Sequence, residues 1–375
     1  MPIIRQAIAA TAYAHLASLK TCGMGFQFYY KIIIFKETKF MNGSGKERVL
    51  AGMRPTGSLH LGHYVGALEN WVKLQDKCDC HFLIADYQAL GDYAQDVDRI
   101  RKSVRAVTLD WLSVGLDPRK SAFLIQSYIP EYAELAMLLS MITSLNSVDK
   151  NPTLRSEMKR RKKEISLGFY NYPASQAADI LLSKASLVPA GEDQVPHIEL
   201  AGEVAKSFNK TYGYVFPEPK ALVGRVPRLI GTDGKTKMGK SSGNCIYLSD
   251  DPKTVAKKVK KMAVVEENGV SCSCRVENSI AFAYLNAFCP DRNEIENLKD
   301  LCHQGRAGNA EAKELLLVSL NDFLDPIRER RSYFESHPQK IREAIMEGTV
   351  RAKKNAQAVL AETRSAMRIA NYENV

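Results

Sequence analysis

From Arg48 onward, short apolar runs alternate with longer amphipathic stretches, and few folds accommodate that alternation. Residues 48–53 read as a strand. Residues 60–75 follow as a helix, with Leu61, Val65, Leu68 and Val72 at helical spacing. Residues 82–85 and 122–126 read as further strands; a helix over 100–114, closed by Gly115, separates them, and another runs through 130–144. Strands joined by helices of this length imply right-handed βαβ units and a doubly wound, Rossmann-like parallel sheet, so the expected class is α/β.

Residues 145–195 read as an insertion into that sheet, which resumes at 187–190 and ends near 223–229. After Pro252 the signal is almost wholly helical, over 253–262, 279–287, 310–334 and 339–370. A chain of 375 residues exceeds one typical domain. The expected division is an extension over 1–45, an α/β domain over 46–250 and an α-helical domain over 251–375. In the first 40 residues, Arg5, Lys20, Lys31, Lys36 and Lys39 stand against Glu37 alone, around an aromatic, β-prone run. No small-residue cleavage site follows a short apolar core, and a single Arg argues against a transit peptide. The segment is expected to be an extension without a catalytic part, ahead of a natural chain start at Met41. No apolar stretch is long enough to span a bilayer, and the expected location is cytoplasmic.

Lys and Arg outnumber Asp and Glu by 52 to 42, a net charge of +10 that points towards a polyanionic partner. The eight cysteines show no regular spacing, so reduced thiols are expected. Cys78-Asp79-Cys80-His81 and Cys272-Ser273-Cys274 each lack a matching pair of ligands, and no metal site is expected.

The chemistry concentrates at two points. Arg54-Pro55-Thr56-Gly57-Ser58 makes a turn after the first strand, and His60-Leu61-Gly62-His63 opens the helix that follows. Ligands of an open parallel sheet sit where strand ends lead into helices. A helix start there offers unpaired amides and partial positive charge. His60 and His63, at i and i+3, share one face, and Gly62 leaves the backbone open to a flat base or ribose. Far downstream, Lys237-Met238-Gly239-Lys240-Ser241 is a Gly/Lys/Ser loop. Each motif alone has an ordinary reading, as surface histidines or a solvated turn. Their order along one sheet domain argues for imidazoles and ammonium groups gripping one triphosphate from two sides.

These residues resemble the signatures of the class I aminoacyl-tRNA synthetases, His60–His63 the HIGH motif and Lys237–Ser241 the KMSKS loop. Within the class, the chain is similar to the tryptophanyl-tRNA synthetase family. That likeness rests on Gly52-Met53-Arg54-Pro55-Thr56-Gly57, on Tyr172-Pro173 with Gln176-Ala177-Ala178-Asp179-Ile180-Leu181, and on Val188-Pro189-Ala190-Gly191-Glu192-Asp193-Gln194. The resemblance implies a tryptophan–tRNA ligase that uses ATP with Mg²⁺ to make tryptophanyl-adenylate, then charges tRNA(Trp). It implies His60, His63, Lys237 and Lys240 as catalytic. It also implies an ATP site of Arg54, Pro55, Thr56, Gly62, His63, Gly191, Glu192, Asp193 and Val226, completed by Lys237, Met238, Gly239, Lys240 and Ser241. Asp179 would take the indole N–H, a donor-only group that needs a fixed acceptor. Tyr172, Gln176 and Gln194 fall at pocket positions.

The same resemblance implies a homodimer, with the helical domain binding the anticodon. The basic runs 159–163 and 253–261 are candidates for tRNA phosphate contacts. Three departures stand out. Gly239 replaces a common Ser, and Gln88 replaces a frequent His. Of four cysteines that hold an iron–sulfur cluster in some relatives, only Cys302 is present. The other places hold Ser279, Asn309 and Ala312, so no cluster is expected. Two alternatives stay open: a tyrosyl-tRNA synthetase, and a tRNA-binding paralogue without catalysis, which the changes at Gly239 and Gln88 would fit.

Overall fold

Among the described residues, five strands form the main sheet: β1 (Arg48–Met53), β2 (Asp79–Ile84), β3 (Ser121–Ile125), β4 (Leu187–Ala190) and β5 (Lys220–Val223). All neighbours are parallel, in the order β3-β2-β1-β4-β5. This computed structural model describes residues 46–161, 164–224, 229–263, 266–267, 270–271, 276 and 279–369. The extension 1–45, Lys162, Lys163, Val226, Cys272 and Cys274 lie outside the described residues. The expected doubly wound α/β fold is what forms.

Side chains alternate across the sheet as the two-residue period of a strand demands. Val49, Ala51, Phe82, Ile84 and Phe123 enter one core; Leu50, Leu83, Leu124 and Val188 enter the other. Both faces are covered, as parallel sheets require.

Crossovers supply the covering layers. Residues 61–74 form α1, an α-helical turn (Leu61–His63), a π-helical segment (Tyr64–Leu68) and an α-helical end (Glu69–Leu74). Then come α2 (Asp86–Tyr93) and α3 (Val97–Ser113), the latter capped by Asp96, whose carboxylate accepts the Arg99 N–H at 3.1 Å. Trp71 of α1 stacks on Phe82 at 5.0 Å, and Trp111 of α3 packs edge-on against Trp71 and Phe123. These aromatic contacts pin both helices to the sheet.

Between β3 and β4 lie α4 (Glu131–Ser140), α5 (Leu145–Lys150), α6 (Pro152–Arg160) and α7 (Leu167–Leu182); α8 (Val195–Tyr212) leads to β5. Asn151 caps α6, with Pro152 at its first position, and Ser166 caps α7. Downstream run α9 (Pro252–Lys260), α10 (Ile280–Phe288), α11 (Arg292–His303), α12 (Asn309–Ser336) and α13 (Pro338–Ala366). The helix α11 is absent from the sequence reading; it buries Ile295 and Cys302 and little else.

The downstream helices pack directly on the sheet layers, α12 against α3 and α13 along β3. Leu316, Leu320 and Leu324 share a core with Trp71, while Ala352, Ala356 and Val359 share the other with Leu124. Gly348 permits the second contact: a Cβ there would lie 2.2 Å from the Phe123 carbonyl oxygen. Among the described residues, no helix is long and apolar enough to cross a membrane.

Candidate active site

Strand order reverses between β1 and β4, and at their carboxyl ends opens a cleft of about 1130 Å³. His60 and His63 reach it from the start of α1, the lysine loop from the far rim, and Asp179 from α7. The sequence segments that were furthest apart therefore share one cavity.

The backbone N–H of His60 donates to His63 Nδ1 at 3.2 Å, which leaves the His63 proton on Nε2. The two rings lie 3.7 Å apart. Burial, reinforced by Lys240 and Lys237, brings His60 down to about 3. Burial and the neighbouring His60 hold His63 well below the usual imidazole range. Both rings are neutral at pH 7, and His60 Nδ1 is buried without a partner in the protein.

Their segment is sewn to the chain beyond the lysine loop. The Leu61 N–H donates to Ile246 O and the Leu248 N–H to Leu59 O, each at 3.0 Å, with His60 paired antiparallel to Tyr247. The lysine loop is tied at its base as well. The Met238 N–H reaches Leu229 O at 2.9 Å, and the buried Asn244 accepts the Gly239 N–H at 2.9 Å while donating to Asp233 at 3.0 Å. Gly239 is extended, and a Cβ there would meet nothing closer than 3.7 Å, so the backbone itself does not demand glycine.

Both lysines reach across the cleft. Lys240 Nζ donates to Gly57 O at 2.7 Å and to Thr56 Oγ1 at 3.3 Å, and burial lowers it to about 8. Lys237 Nζ lies 3.5 Å from Asp193 Oδ2. The face that Gly62 leaves open is covered by Met238, with the Gly62 N–H aimed at its Sδ at 3.4 Å. A Cβ on Gly62 would fall 3.1 Å from the His60 ring, so a side chain there would push the ring aside by a few tenths of an ångström.

Asp179 is buried between two amide donors, Gln88 Nε2 at 2.6 Å and Gln126 Nε2 at 2.7 Å. Burial nevertheless pushes its carboxyl up to about 8, both glutamines opposing the rise. Gln88 thus occupies the departed His position as a direct partner of Asp179. Gln126 escaped the sequence reading; a polar residue at the carboxyl end of an apolar strand is the signal that marks it.

Arg54 lines the cleft with its charge already answered by Asp92 at 3.1 Å and Glu157 at 3.2 Å. Pro55 is buried and does not line the cleft, and Val226 lies outside the described residues. Gly191, Glu192, Asp193 and Ser241 line the wall, and Gln176 reaches Gln194 at 3.4 Å. Tyr172 meets His197 at 2.9 Å. Asn151 holds the other His197 nitrogen at 3.2 Å, a support that the sequence did not reveal. Elsewhere, Cys78 and Cys80 are buried free thiols. No group of His, Cys, Asp or Glu among the described residues is placed to hold a metal ion.

A switch-point cleft with paired histidines at a helix start and two lysines on a facing loop defines a nucleotide-binding α/β protein. The model of the tRNA synthetases class I (W and Y) matches residues 41–325, and the chain belongs to this family. It is 43% identical to the tryptophan–tRNA ligase of Clostridium longisporum over 339 residues, covering 88% of this chain and 99% of that protein. It is 44% identical to the tryptophan–tRNA ligase of Chlamydia caviae over 313 residues, covering 81% and 90%. Among solved structures, the tryptophanyl-tRNA synthetase of Campylobacter jejuni, complexed with ADP and tryptophan, is 30% identical with a TM-score of 0.76. It covers 86% of this chain and 99% of that one.

Proposed function

We propose that this chain is a tryptophan–tRNA ligase, joining L-tryptophan to tRNA(Trp) by way of tryptophanyl-adenylate made from ATP. The observation that carries the reading is one cleft holding the imidazole pair, both loop lysines and the buried Asp179. In the proposed reaction, a tryptophan carboxylate oxygen attacks the α-phosphorus, the bond to the bridging oxygen breaks and pyrophosphate leaves. No side chain need form a covalent bond; orientation and charge stabilisation supply the rate.

Neutral His60 and His63 would contribute N–H donors at the phosphates without excess charge. Lys237 and Lys240 would supply the charge, and a triphosphate beside Lys240 would restore the proton that burial weakens. Mg²⁺ arrives with ATP as part of the substrate. Gly191, Glu192 and Asp193 would meet the ribose. Ionised Asp179 would accept the indole N–H, and a site built on that bond rejects analogues lacking the donor. A hydroxyl of the terminal ribose of tRNA then attacks the carbonyl carbon of the adenylate, forming the ester as the bond to the phosphate oxygen breaks and AMP leaves.

Lys159, Arg160, Lys253, Lys257, Lys260 and Lys261 are exposed and suited to tRNA phosphates, whereas Lys258 is engaged by Asp250 at 2.5 Å. Anticodon binding is assigned to the helices after residue 251. A homodimer is supported by exposed apolar residues at Met137, Met141, Leu145 and Leu167, whose side chains a second copy would cover.

The test is ATP–pyrophosphate exchange by the purified chain. Tryptophan-dependent exchange is expected, with tyrosine inactive. Exchange driven by tyrosine would make it a tyrosyl enzyme, and tRNA binding with no exchange would make it a non-catalytic paralogue.

A further inference from the structure

Asp110 belongs to neither signature and lies in the last turn of α3, fully buried. One carboxylate oxygen accepts the Leu59 N–H at 2.7 Å, at the residue just before His60. The other accepts from the Arg331 guanidinium, which comes from α12 near the far end of the chain. Asp110 also faces Lys240 electrostatically, each favouring the charged form of the other. Beside this pair, Arg330 donates to Ser113 O at 2.6 Å and Arg328 to Asp250 O at 2.8 Å, so α12 grips both α3 and the segment after the lysine loop.

We propose that Asp110 is a positioning residue for adenylate formation: it fixes the Leu59 amide that starts the histidine segment, with Arg331 as its counter-ion. A buried carboxylate is an expensive way to hold one amide, because desolvation works against it. Its placement is explained if the amide it holds is the one that sets the histidine segment. Burial raises the carboxyl to about 6, with Arg331, the Leu59 N–H and Lys240 lowering it. Glu335 sits on the other side of Arg331 at 3.0 Å and completes the charged surroundings.

This inference rests on the ligase reading, and the test separates the two. Wild-type, D110N, R331M and the double variant are compared by tryptophan-dependent ATP–pyrophosphate exchange, with kcat and KM resolved for ATP and for tryptophan across the acid range. D110N is expected to lower kcat about 10- to 100-fold, the worth of a hydrogen bond to a charged group, with KM for tryptophan within about twofold. R331M leaves the carboxylate without its counter-ion, so the acid limb of kcat moves to higher pH. The double variant recovers part of the D110N loss, because no unpaired guanidinium remains.

An unchanged kcat per folded site, with only the melting temperature lowered, would overturn the proposal. So would an R331M pH profile that superimposes on wild type, a readout that stands even where D110N does not fold. Absence of exchange in the wild type would instead sink the ligase reading. The positioning role is then read from ATP affinity by calorimetry on the same proteins, and equal affinities in wild type and R331M reject it.

Discussion

At Asp179, burial and function pull on the same proton. Its carboxyl sits at about 8 in the folded chain against an ordinary value of 3.8. Between those values the folded state holds a proton that the unfolded state has lost, so this group's contribution to stability falls as pH rises from about 4 to 8. D179N removes that liability. Its thermal stability should exceed wild type at pH 8 by about 1–3 kcal/mol and match it near pH 4, a difference that melting curves will read. The indole N–H prefers the ionised acceptor, so tryptophan affinity should tighten from pH 6 to pH 9 in the wild type and stay flat in D179N. Exchange activity of D179N should fall by about 100-fold or more. Asp179 was legible because a charge stood in the apolar run 177–182. Gln126 and Asp110 were not, since a glutamine after a strand and an aspartate in an amphipathic helix are ordinary until their partners from distant segments arrive.

Elements show where periodicity speaks and where it stops. The short apolar runs of β1 to β3 placed those strands within a few residues. The helix after β1 was equally plain, but its π-helical segment was not. Leu61, Val65 and Leu68 are buried as expected, yet the last deep contact comes from Trp71 and only partly from Val72. Hydrophobic spacing reports which face is apolar and is silent on a local change of hydrogen-bond register. Gly348 in α13 drew no reading from the sequence; the backbone of β3 lying against it gives the reason for a glycine inside this helix. G348A should lower stability by about 1–3 kcal/mol, as overpacking does, because its Cβ would press 2.2 Å from Phe123 O and 2.4 Å from Phe123 N. Chemical denaturation would check this, with a lower midpoint at an unchanged slope.

On the scale of the whole molecule, a parallel, doubly wound sheet was legible from strands joined by helices, though not its strand order. Nor was the seating of α12 and α13 on the sheet. A switch from strand periodicity to helix periodicity after residue 250 reports element type and says nothing about which elements become neighbours. Two exposed methionines, Met137 of α4 and Met141 just past its end, carry a prediction at this scale. Met137 and Met141 lie one turn apart at 59% and 64% exposure. Sedimentation of M137D/M141D should give monomers at concentrations where the wild type sediments as a dimer, with the melting temperature little changed. Identical sedimentation of the two proteins would remove that face from the interface.

The thioether resting on the Gly62 amide has a kinetic corollary. Met238 covers the Gly62 amide at the cleft wall, so a nucleotide seated on that amide must displace the methionine. Eviction is unimolecular, so its rate should level off at high nucleotide concentration in rapid mixing. Since that methionine stands between the two lysines, whatever dislodges it also unclips the strap that carries them.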